Sequence, residues 1–260
     1  MAVSDPIAVV TGGAGSIGSA VARRLAADGF RVAVVDVAAD RVQSIVESIG
    51  ANHIGIAGDL TDPVFIEDLG SELQFEGAIR AVVNVAGISP KGPSGKLQYD
   101  EITWDGFREV LEVNTVAPFF LIQRLVPLMP TDGSGTIVNI LSIAARLSTG
   151  GPRGASYYPH LASAIHYGAS KAALHNIQTG LARELAPLHI RVNGVAPGFV
   201  ASEMTVNIPE GERAQVLGDI PWGRPGTPDE IAAAVAFLTS ADASYLTGAV
   251  IDVNGGWLPA

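Results

Sequence analysis

Apolar positions along the chain follow two alternating rhythms. Short unbroken runs rich in valine and isoleucine predict strands at Ile7–Val10, Arg31–Val35, Ala81–Val85, Thr136–Leu141, Arg191–Val195 and Ala249–Val253. Longer stretches between them, with polar residues interleaved, predict helices at Ser19–Asp28, Ala39–Ile49, Ala169–Ala186 and Glu230–Thr239. Trp104–Met129 reads as one long helix with a kink at Pro118, because proline lacks the N–H that a helix interior needs. Thr227-Pro228-Asp229-Glu230 has the form of a capping box, with Thr as N-cap, Pro first in the helix and Glu reaching back. Strands that are apolar on both faces must be covered on both faces, so strand and helix alternation predicts a doubly wound parallel α/β sheet in three layers. Ile88–Gly95 and Gly150–Gly154 are too short to divide the chain, and one domain over residues 1–260 is expected.

Composition narrows the possible functions. Hydrophobic residues make up 48% and charged residues 16% of 260, which suits a large packed core and excludes a disordered chain. The net charge of −10 opposes nucleic-acid binding, although a local pocket of backbone N–H groups can still take a nucleotide phosphate. With no cysteine, thiolate catalysis, disulfides and cysteine–zinc sites are ruled out. The five histidines are scattered, none at metal-ligand spacing, so no metal is expected. Neither a leader-like N-terminus nor a membrane-length apolar run is seen, and a cytoplasmic location without membrane contact is the expectation.

Chemistry enters at the first turn. Thr11-Gly12-Gly13-Ala14-Gly15-Ser16-Ile17-Gly18 joins a predicted strand to a predicted helix, and Gly13, Gly15 and Gly18 have G-x-G-x-x-G spacing. Glycine lets the backbone turn tightly and approach a pyrophosphate, which the free N–H groups of the helix start can bind. This context predicts a Rossmann-type dinucleotide site with Gly12, Gly15, Ser16, Ile17 and Gly18 in contact. Asp36 ends the second strand, where an acid can bond ribose hydroxyls and repel a 2′-phosphate. Val37 follows it, and Arg41 lies inside the next helix, so NAD is expected rather than NADP.

Tyr167 and Lys171 stand four apart at a helix start and share a face. An ammonium beside a phenol stabilises the phenolate and lowers its pKa, making tyrosine a usable acid/base. Taken alone, Y-x-x-x-K is an ordinary helix face.

Together with the other motifs, however, the chain resembles the short-chain dehydrogenase/reductase family over essentially its whole length. The resemblance rests on Thr11–Gly18, Asn84-Val85-Ala86-Gly87, Asn114, Ser142, Tyr167-Gly168-Ala169-Ser170-Lys171 and Pro197-Gly198. It implies that Tyr167 is the general acid/base, that Lys171 lowers its pKa and holds the nicotinamide ribose, and that Ser142 bonds the substrate oxygen. It implies further that Asn114 holds a water leading from Lys171 to solvent. Asp59 and Leu60 would line the adenine, and Asn84, Ala86 and Gly87 would pack along the cofactor. Pro197, Gly198, Val200 and Ser202 would hold the nicotinamide end. Family members commonly assemble as tetramers through the two long helices, so a homo-oligomer is implied.

Three departures stand out. Ser16 replaces a glycine usual in the family's shorter branch, and Val85 replaces the second asparagine of N-N-A-G. Ser142 and Tyr167 are 25 positions apart, more than the family usually shows. The extra segment, Arg146–Ala164, carries Arg146, Arg153, Tyr157, Tyr158 and His160. It is read either as a wall or lid over the substrate, with arginines for an anion, or as a surface or interface loop.

The leading expectation is an NAD-dependent enzyme acting on a secondary alcohol or ketone, a sugar, polyol or cyclic alcohol being favoured. The alternatives are a 3-oxoacyl-thioester reductase and a catalytically silent nucleotide-binding scaffold.

Overall fold

A computed structural model describes residues 5–92, 95–147 and 163–258. Four strands and three helices alternate in its first third: β1 (Ile7–Thr11), α1 (Ser16–Ala27), β2 (Arg31–Asp36), α2 (Ala39–Ile49), β3 (Ile54–Ala57), α3 (Pro63–Leu73) and β4 (Ile79–Asn84). A small hairpin, β5 (Lys91–Gly92) and β6 (Gly95–Lys96), precedes α4 (Trp104–Leu111) and α5 (Ala117–Leu125). Then come β7 (Thr136–Ile140), α6 (Ile165–Glu184), β8 (Arg191–Pro197), α7 (Glu203–Val206), α8 (Glu210–Asp219), α9 (Pro228–Thr239) and β9 (Val250–Val253).

The main sheet has seven strands in the order β3-β2-β1-β4-β7-β8-β9, and the pairings are parallel. Successive strand residues face opposite ways, so each apolar run feeds two cores. Ala8, Val10, Val32, Val34, Val83 and Val138 pack on the side of α1, α2 and α9. Ile7, Val9, Ala33, Val35, Val82 and Ile137 pack on the side of α3, α5 and α6. This is the doubly wound Rossmann-like α/β sheet that the sequence pattern predicts.

Strand order reverses between β1 and β4. From β1 the chain winds outward to β3, then returns to β4 on the other side. The loops leaving β1 and β4 therefore diverge and leave a crevice at the carboxyl ends of the strands, where such sheets bind ligands.

Several elements differ from expectation. β3 and α3 lie where the sequence reading assigned nothing. β3 is a four-residue edge strand with only Ile56 buried. α3 does carry a start signal, since Asp62 accepts a bond from Val64 N at 2.9 Å and Pro63 occupies the first position. The expected helix over 104–129 is divided by a π-turn at Glu112–Val116, and Val126–Leu128 is 3-10 helix. The irregularity thus falls one turn before Pro118. Ala117 N–H reaches back five residues to Glu112, and Pro118 has no N–H to return to the Asn114 carbonyl. α6 begins four residues earlier than expected, so Tyr167 lies within its first turn. The capping box forms as expected: Thr227 N donates to Glu230 Oε2 at 2.8 Å and Glu230 N to Thr227 Oγ1 at 3.3 Å.

Candidate active site and nucleotide cleft

The crevice at the strand-order reversal is a cleft of about 490 Å³. Its floor is the loop after β1, where Gly12, Gly15, Ser16, Ile17 and Gly18 all line it. Asp36 and Val37 after β2, Gly58 to Thr61 after β3, and Val85 to Ile88 after β4 form the walls. Ser202, Glu203 and Met204 close one edge.

The glycines are required sterically. A Cβ on Gly12, whose φ is +59°, would lie 2.8 Å from the Ala86 backbone. One on Gly18 would lie 2.0 Å from the Gly12 carbonyl. By contrast, a Cβ on Gly15 would meet only that carbonyl, at 3.3 Å, and otherwise extend into the cleft. The loop is thus packed behind and bare in front, as close approach of a pyrophosphate needs. Thr11 joins the two walls, its Oγ1 accepting from Val85 N at 3.1 Å and Ala86 N at 3.3 Å. A nicotinamide dinucleotide fits this set of residues.

Asp36 is at the far rim. Its carboxylate accepts from Ala14 N at 3.1 Å and Ala38 N at 3.2 Å, which orients it and leaves lone pairs for ribose hydroxyls. Arg41 lies inside α2, as expected, and also lines the cleft. It donates to the Ala14 carbonyl and forms a two-pronged pair with Glu203, at 2.7 and 3.1 Å. Nothing in the sequence signals this pair, whose members are 162 positions apart.

Tyr167, Lys171, Ser142 and Asn114 gather beside the cleft. A Cβ on Gly87 would be 3.1 Å from Asn114 Oδ1 and 3.3 Å from Lys171 Nζ, so these groups stand directly behind the β4 loop. Ser142 follows β7 and caps the 3-10 turn Ile143–Ala145, its Oγ accepting from Ala144 N at 3.1 Å. The Tyr167 hydroxyl is hydrogen-bonded to Ser142. Burial pushes the Tyr167 pKa up from its ordinary value, and the Ser142 bond offsets this in part. Lys171 is buried, donates to the Ile140 carbonyl at 2.8 Å, and is pushed down to about 8 by burial.

In the chain alone, Lys171 Nζ is directed to the Ile140 carbonyl and stands 6.0 Å from the phenol ring centre. Asn114 has no side-chain N–H left for a water. Its Nδ2 donates to Ile88 O at 2.9 Å and Ser170 Oγ at 3.0 Å, and its Oδ1 accepts from Ile88 N at 2.8 Å. Its backbone carbonyl, which Pro118 leaves without the usual helical bond, is the Asn114 group suited to the expected water.

The remaining expected residues divide. Asp59, Leu60, Ala86, Gly87 and Ser202 line the cleft, whereas Asn84, Pro197, Gly198 and Val200 are not among its lining residues. Asn84 is buried within the sheet and donates to Asn139 at 2.9 Å. Gly198 lies against Asn254, where a Cβ would come within 2.8 Å, and Val200 is in the core. These residues bring the chain from β8 to Ser202. Arg146, considered for an anion, is paired with Asp252. Arg153, Tyr157, Tyr158 and His160 lie outside the described residues. His166 is buried against Phe107, with ring centres 6.0 Å apart. Among the described residues no acid or histidine group suits a metal ion, and no helix is long and apolar enough to cross a membrane.

A glycine-lined crevice at a strand-order reversal is the architecture of the dinucleotide-binding oxidoreductases. Within them, this chain belongs to the short-chain dehydrogenase/reductase family, whose members use nicotinamide cofactors. The family model described as Enoyl-(Acyl carrier protein) reductase matches residues 12–258. The 3-oxoacyl-acyl-carrier-protein reductase FabG of Escherichia coli is 36% identical over 251 residues, 96% of each chain. Galactitol 2-dehydrogenase (L-tagatose-forming) of Cereibacter sphaeroides is 36% identical over 255 residues, 96% of this chain and 94% of that one. The crystal structure of a dehydrogenase/reductase from Sinorhizobium meliloti superposes with a TM-score of 0.86 at 35% identity, covering 98% of this chain and 95% of that one.

Proposed function

We propose that this protein moves a hydride between NAD and a secondary alcohol or ketone, a sugar, polyol or cyclic alcohol being the favoured class. The observation that carries this reading is the hydrogen-bonded Tyr167–Ser142 pair beside a dinucleotide-sized cleft. Bound nicotinamide would supply or accept the hydride, and the protein's part is to position the oxygen and move its proton. Tyr167, kept neutral by burial, is ready to donate its proton to a carbonyl oxygen as negative charge develops there. Ser142 Oγ stabilises the same oxygen by a second hydrogen bond. Lys171 can exchange the Ile140 carbonyl for a ribose hydroxyl, and on that shift its ammonium favours the tyrosinate needed for alcohol oxidation. Asn114 acts by holding the Ile88 backbone and Ser170 in place. Asp36, beside which Arg41 is already paired with Glu203, supports NAD. Self-assembly through α4–α5 and α6 belongs to the same reading, since Trp104, Phe120 and Ile165 are exposed there.

The test is Tyr167→Phe. Turnover of ketones and alcohols should fall by about a hundredfold or more, while dinucleotide affinity measured by calorimetry stays the same. Near-normal turnover overturns the mechanism.

A second reading, a 3-oxoacyl-thioester reductase, is favoured by the FabG relative. The relative named for galactitol is equally identical, so the two readings are separated by comparing reduction of a 3-oxoacyl thioester with oxidation of polyols. A protein that binds dinucleotide and turns over neither substrate would leave the scaffold reading.

A further inference from the structure

A carboxylate on the segment after β8, that of Glu203, reaches the cleft rim near the end of β2 through Arg41. Among the described residues lining the cleft, Arg41 alone is cationic, against the acids Asp36, Asp59 and Glu203. Arg41 and Asp36 meet at a single residue: Asp36 accepts from the Ala14 N–H and Arg41 donates to the Ala14 carbonyl. A phosphate on the ribose hydroxyl next to Asp36 would therefore arrive within reach of this guanidinium. A planar five-donor guanidinium is well suited to such a phosphate.

The guanidinium is already engaged, however. Glu203 accepts from Nη1 and Nη2 at 3.1 and 2.7 Å, so both carboxylate oxygens are used. Glu203 is also fixed through its backbone, its N–H donating to Ser16 Oγ in the glycine loop at 3.2 Å. The segment behind it is anchored as well. Ser202 and Thr205 cap α7 reciprocally, and Phe199, Ile208, Val216 and Ile220 pack in one apolar cluster with Ile143 and Trp257. The pair is a held arrangement at the cleft rim, with side chains half exposed at 49% for Arg41 and 65% for Glu203, so a ligand can reach it.

We propose that Glu203 is a cofactor-specificity residue: by occupying Arg41 it withholds the cleft's cation from a 2′-phosphate. This rests on the NAD reading above. It goes beyond that reading in placing discrimination on the segment after β8 as well as at the end of β2.

The experiment is calorimetric titration of the free protein with NAD and with NADP, in wild type, Glu203→Gln and Glu203→Gln/Arg41→Met, with thermal midpoints confirming folding. Glu203→Gln should raise the NADP-to-NAD affinity ratio by about tenfold, the scale of removing one half-exposed charge beside a phosphate. Arg41→Met in that background should abolish the gain. An NADP-to-NAD affinity ratio unchanged by Glu203→Gln overturns the proposal, as does a gain that survives loss of Arg41. A wild type that binds NADP more tightly than NAD overturns the NAD reading instead, and the change in ratio still judges Glu203.

Discussion

Lys171 and Tyr167 are opposite cases of one physical effect. Burial disfavours whichever form is charged, so the same enclosure lowers the lysine to about 8 and raises the tyrosine. Their stability consequences can be signed. Lys171 titrates at about 8 folded and near 10.5 unfolded, so between those values the unfolded chain holds more protons. Stability therefore rises with pH across that window, and below about 8 the full cost of the buried ammonium is present. Urea midpoints measured at about pH 8 and about pH 10 should rise in wild type relative to Lys171→Met, where the lysine contribution is gone. Parallel midpoints in the two proteins would show that the ammonium carries no burial cost. The four-residue spacing of Tyr167 and Lys171 was legible in the sequence, because the helix period alone puts them on one face. The sense of the tyrosine shift was not, because it depends on burial of the phenol, which exists only once the strands and helices have packed around it.

At the level of strands, turns and helices, the glycine loop allows a sharper separation of roles. A Cβ on Gly18 strikes backbone at 2.0 Å, whereas one on Gly15 meets only the Gly12 carbonyl, at 3.3 Å. Gly18→Ala should therefore lower the thermal midpoint of the free protein and weaken dinucleotide binding by about tenfold or more. Gly15→Ala should weaken binding comparably while leaving the midpoint within about two degrees. Equal midpoint losses in both variants would mean that the loop is not bare in front. The π-turn before Pro118 has a local cause in a missing N–H, yet its position one turn earlier was not apparent, since proline's effect is felt at the carbonyls behind it. β3 was missed because an edge strand with one buried residue carries almost no pattern. α8 was missed for a related reason: its one buried residue, Val216, joins the apolar cluster around Phe199 and Trp257 and leaves it without a stripe of its own, and α7 is a single turn with no buried residue.

Across the molecule, buried polar ties join the sheet to its layers. Arg191, in β8, sends Nη1 to the Leu238 carbonyl at 2.8 Å and Nη2 to the Ser240 carbonyl at 3.3 Å, closing the C-terminal end of α9. Arg191→Met keeps the volume but strips those carbonyls of a charged donor, and should cost about 1–3 kcal/mol in urea unfolding with Tyr167-dependent turnover preserved. A loss below experimental error would show that water serves the carbonyls equally well. The sheet, the glycine loop and the helix bearing Tyr167 and Lys171 were readable from the chain because each is specified by short-range rules: alternation across a strand, the helix period, and the steric freedom of glycine. The meeting of Arg41 with Glu203, the retreat of Asn84 into the sheet and the direction of the Tyr167 shift were settled by the folded chain. Each depends on burial and on partners tens to more than a hundred residues away, and pairwise distance and local dielectric exist only once strands and helices have packed.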